Sequence, residues 1–77
     1  MVKVYSTPTC PYCHMVKEYF DKHDIKYADV NVASDLKERE EMINKSGQLG
    51  VPVIDIEGEI IIGFNKEKLK KILKIKE

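Results

Sequence analysis

Two cysteines, Cys10 and Cys13, are the only thiols in the chain, and they stand with two residues between them in the stretch Thr9-Cys10-Pro11-Tyr12-Cys13-His14. Thiols at that spacing can close a disulfide on themselves and reopen it, so the chemistry they offer is thiol–disulfide exchange. The neighbouring residues set the direction. Pro11 has no amide hydrogen and a fixed φ that suits the first position of a helix, which makes Cys10 the N-cap. A sulfur at the N-cap faces unpaired amide hydrogens and the positive end of the helix dipole, and both favour thiolate over thiol. Cys10 is therefore expected to titrate low, in the range of roughly 3.5 to 7.5 found for such cysteines at helix N-termini. Cys13 lies one turn inward, within reach of Cys10 but less exposed. That position suits a resolving thiol rather than an attacking one.

The elements around the motif must hold it at a strand-to-helix junction. Val2 and Val4 alternate with Lys3 and Tyr5 in a short strand that Ser6-Thr7-Pro8-Thr9 ends. In the following helix Val16, Tyr19, Phe20 and His23 fall on one stripe, with Lys17, Glu18, Asp21 and Lys22 turned to water. Ile25 to Val32 is rich in β-branched and aromatic residues and predicts a second strand, parallel to the first through a right-handed crossover. Asp35 with Glu38 resembles a capping box, with Ser34 a competing cap, for a helix ending near Ser46-Gly47 and contacting the core through Leu36, Met42 and Ile43. Val51 to Ile56 and Glu59 to Ile62, joined by Glu57-Gly58, predict an antiparallel hairpin. A last helix, Lys66 to about Lys76, presents Leu69, Ile72 and Leu73. The order β-α-β-α-β-β-α gives an α/β four-stranded mixed sheet flanked by three helices, with the Cys10 loop at the C-terminal end of the first strand.

Composition narrows the function. The chain has 77 residues, expected to form one domain over 1–77, and 13 basic residues balance 13 acidic ones. A zero net charge argues against a nucleic-acid binder, whose affinity comes from clustered Lys and Arg on phosphate. Six lysines between Lys66 and Lys76 read as a solvated helix face. Met1-Val2-Lys3-Val4 runs into the motif without a signal-like apolar stretch, and no segment reaches membrane-span length. A cytoplasmic monomer is expected, in which a disulfide is transient and catalytic rather than structural.

Cys10-Pro11-Tyr12-Cys13 after a first strand, Val51-Pro52 before a third and Gly63 after a fourth together resemble the glutaredoxins, over essentially the whole chain. The resemblance implies a thioredoxin fold, Cys10 as nucleophile and Cys13 as resolving thiol. It also implies a cis bond before Pro52 beside the Cys10 sulfur, and a Val51 backbone that pairs with substrate like an added strand. Pro11 and Tyr12 would flank that groove, although an exposed aromatic filling the helix start also accounts for Tyr12. The implied partners are disulfide-containing or glutathionylated proteins. No cofactor is bound in this reading, glutathione acting as reductant or co-substrate.

The chain also departs from the family pattern. Ser6-Thr7-Pro8 stands where glutaredoxins commonly carry a Lys for a glutathione carboxylate, so Thr7 takes that place. Gly50 replaces the common Thr before Val-Pro. Gly63-Phe64-Asn65-Lys66 replaces Gly-Gly with an acidic pair, leaving Gly63, Phe64 and Asn65 for the γ-glutamyl end. Arg39 matches a basic residue that meets the glycine carboxylate, or is simply a solvated helix charge. Gly-Phe is closer to the redoxins that take electrons from thioredoxin reductase and serve ribonucleotide reductase.

Three other classes fit less well. Cys10 to His14 satisfies the C-x-x-C-H pattern of haem attachment, which normally requires export. A zinc module would draw on Cys10, Cys13, His14 and His23, but His23 lies roughly 15 Å along the helix and cannot close the shell. An iron–sulfur cluster shared between two subunits with glutathione as co-ligand, as some glutaredoxins hold, is opposed by Pro11 and by the departures at the glutathione contacts. No metal is therefore expected. A pure binding module docking a partner through the Val51 loop would keep its effect after Cys10→Ser.

Overall fold

Valines at positions 2 and 4 turn to one side of a strand and Tyr5 to the other, so this strand has two buried faces and belongs at the centre of a sheet. In the computed structural model, which describes residues 1–75, strand β1 (Val2–Ser6) occupies that place. It pairs in parallel with β2 (Ala28–Asn31) and antiparallel with β3 (Val53–Ile56), and β3 carries β4 (Glu59–Ile62), giving the order β2-β1-β3-β4. The register sets Ser6 beside Asn31, Tyr5 beside Val53 and Val53 beside Ile62. One end of the sheet therefore gathers the end of β1, the start of β3 and the end of β4.

Helices cover both faces. On one, Val4, Ile54 and Ile61 meet Val16 and Phe20 of α1 (Pro11–Lys22) and Leu69 of α3 (Lys66–Leu73). On the other, Tyr5 and Val53 meet Val32 and Met42, the latter from α2 (Leu36–Ser46). Burying each large side chain of this kind contributes about 1.5–3 kcal/mol, which holds the helices to the sheet. Lys45 ties the far end of α2 down: its ammonium donates to Asp55 (2.8 Å), to Glu41 (3.0 Å) and to the buried Tyr5 hydroxyl (3.1 Å). Among the described residues, no helix is long and apolar enough to cross a membrane.

The expected element order is found, with four local corrections. β2 covers only Ala28–Asn31 of the predicted Ile25 to Val32. Asp24 turns out of α1 at φ 55°, and Ile25 and Tyr27 pack beneath the helix instead of joining the sheet, Tyr27 5.6 Å from the Phe20 ring. Their β-branched and aromatic character serves burial rather than pairing. Pairing of β3 begins at Val53, leaving Val51 in the preceding loop. α3 ends at Leu73, because Lys74 adopts a left-handed conformation and returns its amide to Lys70; the expected end at Lys76 lies outside the described residues. Leu36, expected as a core contact, opens α2 at 72% exposure, while Met42 is fully buried. The hairpin turn has positive φ at both Glu57 and Gly58, the combination that a type I′ two-residue loop requires, and the Asp55 carboxylate accepts the Gly58 amide at 2.9 Å.

Candidate active site

Cys10 is the N-cap of α1. Its backbone is extended (φ −88°, ψ 112°), Pro11 follows at the first helical position, and the Cys10 sulfur accepts the Cys13 amide hydrogen at 3.2 Å. The sulfur thus satisfies one of the helix's orphan donors, as a cap should, and sits where negative charge is favoured. Cys10 is partly exposed and Cys13 fully buried; both are free thiols. Burial first, and then a hydrogen bond to Cys10, push the Cys13 thiol up to about 12, while the Thr7 backbone and Lys17 pull the other way. The accessible sulfur and the buried one are therefore chemically distinct.

Three further segments converge on Cys10. Its amide donates to the Thr7 carbonyl at 3.4 Å, closing the turn between β1 and α1. The His14 ring, exposed on the helix, lies with Nε2 3.0 Å from the Pro8 carbonyl and braces the same turn. From the loop that leads into β3, the Val51 carbonyl lies 3.8 Å from the Cys10 sulfur, and the Val51–Pro52 peptide is cis with Pro52 buried. From β4, Gly63 at φ 76° donates its amide to the Pro52 carbonyl at 2.9 Å, so the β4 exit buttresses the proline loop. Tyr12 stands 61% exposed next to Cys10, with Pro11 also at the surface.

Thr7, Pro11, Tyr12, Val51, Pro52 and Gly63 are thus gathered with the two cysteines. Phe64, Asn65 and Arg39 are committed differently. The Phe64 ring packs edge-on to Tyr19 at 5.7 Å, and the Asn65 carboxamide caps α3 by accepting the Lys68 amide at 3.1 Å. Arg39 is exposed on α2. Among the described residues, no group of three or more His, Cys, Asp or Glu side chains could hold a metal ion.

Sequence reading missed one cluster beneath the motif. Ser6, 2% exposed, donates to Asp29 at 2.8 Å, and Lys17 donates to the other oxygen of the same carboxylate at 2.9 Å. Burial alone would raise Asp29, but the bonds from Lys17 and Ser6 outweigh it and hold its carboxyl below the usual range. The parallel pairing of β1 with β2 brings these residues together, and no local motif announces it.

A sequence model of the family described as Glutaredoxin matches residues 2–61. A glutaredoxin-like 8.6 kDa protein in the rubredoxin operon of Clostridium pasteurianum is 58% identical over 73 residues, 95% of this chain and 97% of that protein. Glutaredoxin 3 of Escherichia coli K12 is 36% identical over 62 residues, 80% of this chain and 75% of its own. The glutaredoxin-like protein NrdH of Lactococcus lactis subsp. cremoris is 32% identical over 75 residues, 94% of this chain and 99% of its own. Among solved structures, the thioredoxin-like protein BC3987 superposes with a TM-score of 0.88 at 30% identity, covering 94% of this chain and 99% of that one.

Proposed function

This chain belongs to the glutaredoxin family, and on that premise we propose that it is a cytoplasmic, monomeric, single-domain thiol–disulfide oxidoreductase acting on disulfide-containing or glutathionylated proteins. The observation that carries the reading is the pairing of a partly exposed N-cap sulfur, Cys10, with a fully buried second thiol, Cys13, whose amide it accepts at 3.2 Å. The Cys10 thiolate attacks one sulfur of the substrate disulfide and expels the other as a thiolate, leaving a mixed disulfide. Cys13, deprotonated, then attacks the Cys10 sulfur and expels the remaining substrate sulfur. Two electrons pass from the dithiol to the substrate, the two cysteine protons end on the released thiols, and Cys10–Cys13 becomes a disulfide. In this reading, the backbone of Val51 beside Cys10 lies against the bound substrate, with Tyr12, Pro11 and Thr7 on its rim.

Glutathione is the reductant that the family resemblance implies. A second reading takes electrons from thioredoxin reductase and passes them to ribonucleotide reductase. It is favoured by Phe64 and Asn65, which are engaged with Tyr19 and the α3 cap where glutaredoxins carry Gly-Gly and an acidic pair. It also draws on the likeness to the NrdH protein of L. lactis along 94% of this chain.

Reduction of a small mixed disulfide, followed by NADPH oxidation, separates the two donors. Turnover with glutathione and glutathione reductase alone selects the first, and turnover with thioredoxin reductase alone selects the second. No disulfide reduction by the pre-reduced protein would refute the oxidoreductase reading. Cys10→Ser is expected to abolish turnover in either case.

A further inference from the structure

The second exchange has a difficulty that the first does not. Cys13 has to lose its proton while fully buried, and once Cys10 is tied up in a mixed disulfide it carries no charge and leaves the buried thiol to its surroundings. Lys17 follows Cys13 by four residues on α1, so the two side chains share a helix face with Cβ atoms about 5–6 Å apart. The Lys17 side chain is only 19% exposed, and it is held: its ammonium donates to Asp29 on β2 at 2.9 Å. Asp29 in turn accepts the hydroxyl of buried Ser6 at 2.8 Å, and Ser6 directly precedes Thr7 in the chain.

We infer that Lys17, anchored by Asp29 and Ser6, is a positioning residue for the resolving step, its fixed charge stabilising the Cys13 thiolate that attacks Cys10. The inference rests on the dithiol reading above. Groups bearing on the Cys13 sulfur are Cys10 and Lys17 from α1 and the Thr7 backbone from the turn. Asp29 faces Lys17 from β2, and the neighbouring His14 ring is turned to the Pro8 carbonyl. Both the Lys17 charge and the Thr7 backbone favour ionised Cys13, and the Ser6–Asp29–Lys17 cluster fixes Lys17 directly and Thr7 through its neighbour. The step itself needs no further reactant. Cys13 gives its proton to water, its electron pair forms the bond to the Cys10 sulfur, and the bond from Cys10 to the substrate sulfur breaks with the pair leaving on that sulfur.

A symmetric aromatic disulfide whose released thiolate absorbs in the visible tests this in one stopped-flow trace. The first equivalent released reports attack by Cys10, and the second reports attack by Cys13. In Lys17→Met the first phase should keep its rate. The second should slow about tenfold near neutral pH, with its pH midpoint moved up by about one unit, the lower end of what one nearby opposite charge produces. Lys17→Arg should restore it. Asp29→Asn discriminates further: removing a negative charge would by charge alone make Cys13 ionise more readily, so a slower second phase identifies the anchoring role. A Lys17→Met second phase equal to wild type, or both phases slowed alike, would overturn the inference while leaving the dithiol reading standing. Wild-type protein releasing a single equivalent would refute the dithiol reading, and this inference with it.

Discussion

Replacing Lys45 by Met removes the centre of the cluster that ties α2 to the sheet, and the cost follows from the surroundings. Asp55 is 13% exposed at its side chain and Lys45 31%. An exposed pair of this kind is worth about 0–1 kcal/mol, and stranding one partner of a fully buried pair costs about 3–5 kcal/mol. This pair lies between, and the loss also leaves the buried Tyr5 hydroxyl without its Lys45 donor, so about 2 kcal/mol is expected at pH 7. For a domain of this size that lowers Tm by about 10 °C.

The pH dependence is the sharper part of this prediction. Burial alone would raise Asp55, but the bonds from Lys45 and the Gly58 amide prevail and hold it below the usual carboxylate range. A depressed carboxylate contributes stability that is complete above its unfolded pKa, near about 4, and is lost as pH falls through the lower folded value. Lys45 is held above the usual lysine range by Asp55, then Tyr5 and Glu41. The Lys45 ammonium itself stays charged through the acid and neutral range and loses its proton only in strong alkali, so on the acid side its attraction to Asp55 lasts as long as Asp55 stays ionised. Asp55 therefore sets the acid side. The gap between wild type and Lys45→Met, measured by urea unfolding with circular dichroism, should shrink as pH falls from 7 toward 3. A gap under about 0.5 kcal/mol at pH 7, or one of constant size across that range, would refute the reasoning.

Other outcomes follow from single residues. Phe20 is fully buried between the sheet and Tyr27, and Phe20→Ala should cost about 3–5 kcal/mol in the same unfolding assay, a loss under about 1 kcal/mol meaning that the site collapses around the gap. With the Cys13 thiol raised to about 12 and buried, iodoacetamide at pH 7 should label Cys10 alone in native protein. Intact mass and peptide mapping would read this, and equal labelling of both thiols would contradict the assigned burial. Asn65→Ala removes the α3 N-cap bond to Lys68 and should cost about 1 kcal/mol, with Asn65→Asp retaining most of it; equal losses in both would put the role of Asn65 elsewhere.

What could be read from the sequence was what local chemistry dictates. Cys10-Pro11 announced a helix start through the missing amide of proline, and Glu57-Gly58 announced a turn through its tolerance of positive φ. Apolar alternation in Val2 to Tyr5 and a continuous apolar run in Glu59 to Ile62 announced strands. Boundaries failed where tertiary packing decided them. Ile25 and Tyr27 are apolar because they lie under α1, and composition cannot distinguish that from pairing. Lys74 ends α3 in a left-handed conformation without the glycine that usually signals it. The two polar clusters, Ser6–Asp29–Lys17 and Tyr5–Lys45–Asp55, join residues from separate elements. Periodicity carries no information about such pairs. They become visible only once strand order and register are known.

The central place of β1 also governs how the protein is made. Its two partners lie far along the chain, and Cys10 meets a carbonyl 41 residues away, so that contact forms only after a long loop has closed at an entropic cost. Cys10 and Cys13, by contrast, lie within a single helical turn and can find each other in a nascent or unfolded chain. Disulfide formation and assembly of the cleft are thus separable events during refolding. A probe reporting the distance from residue 10 to residue 51 would follow long-range chain closure, whereas a thiol count would follow only redox state. Comparing their rates would tell whether oxidation before folding traps the chain or leaves its route unchanged.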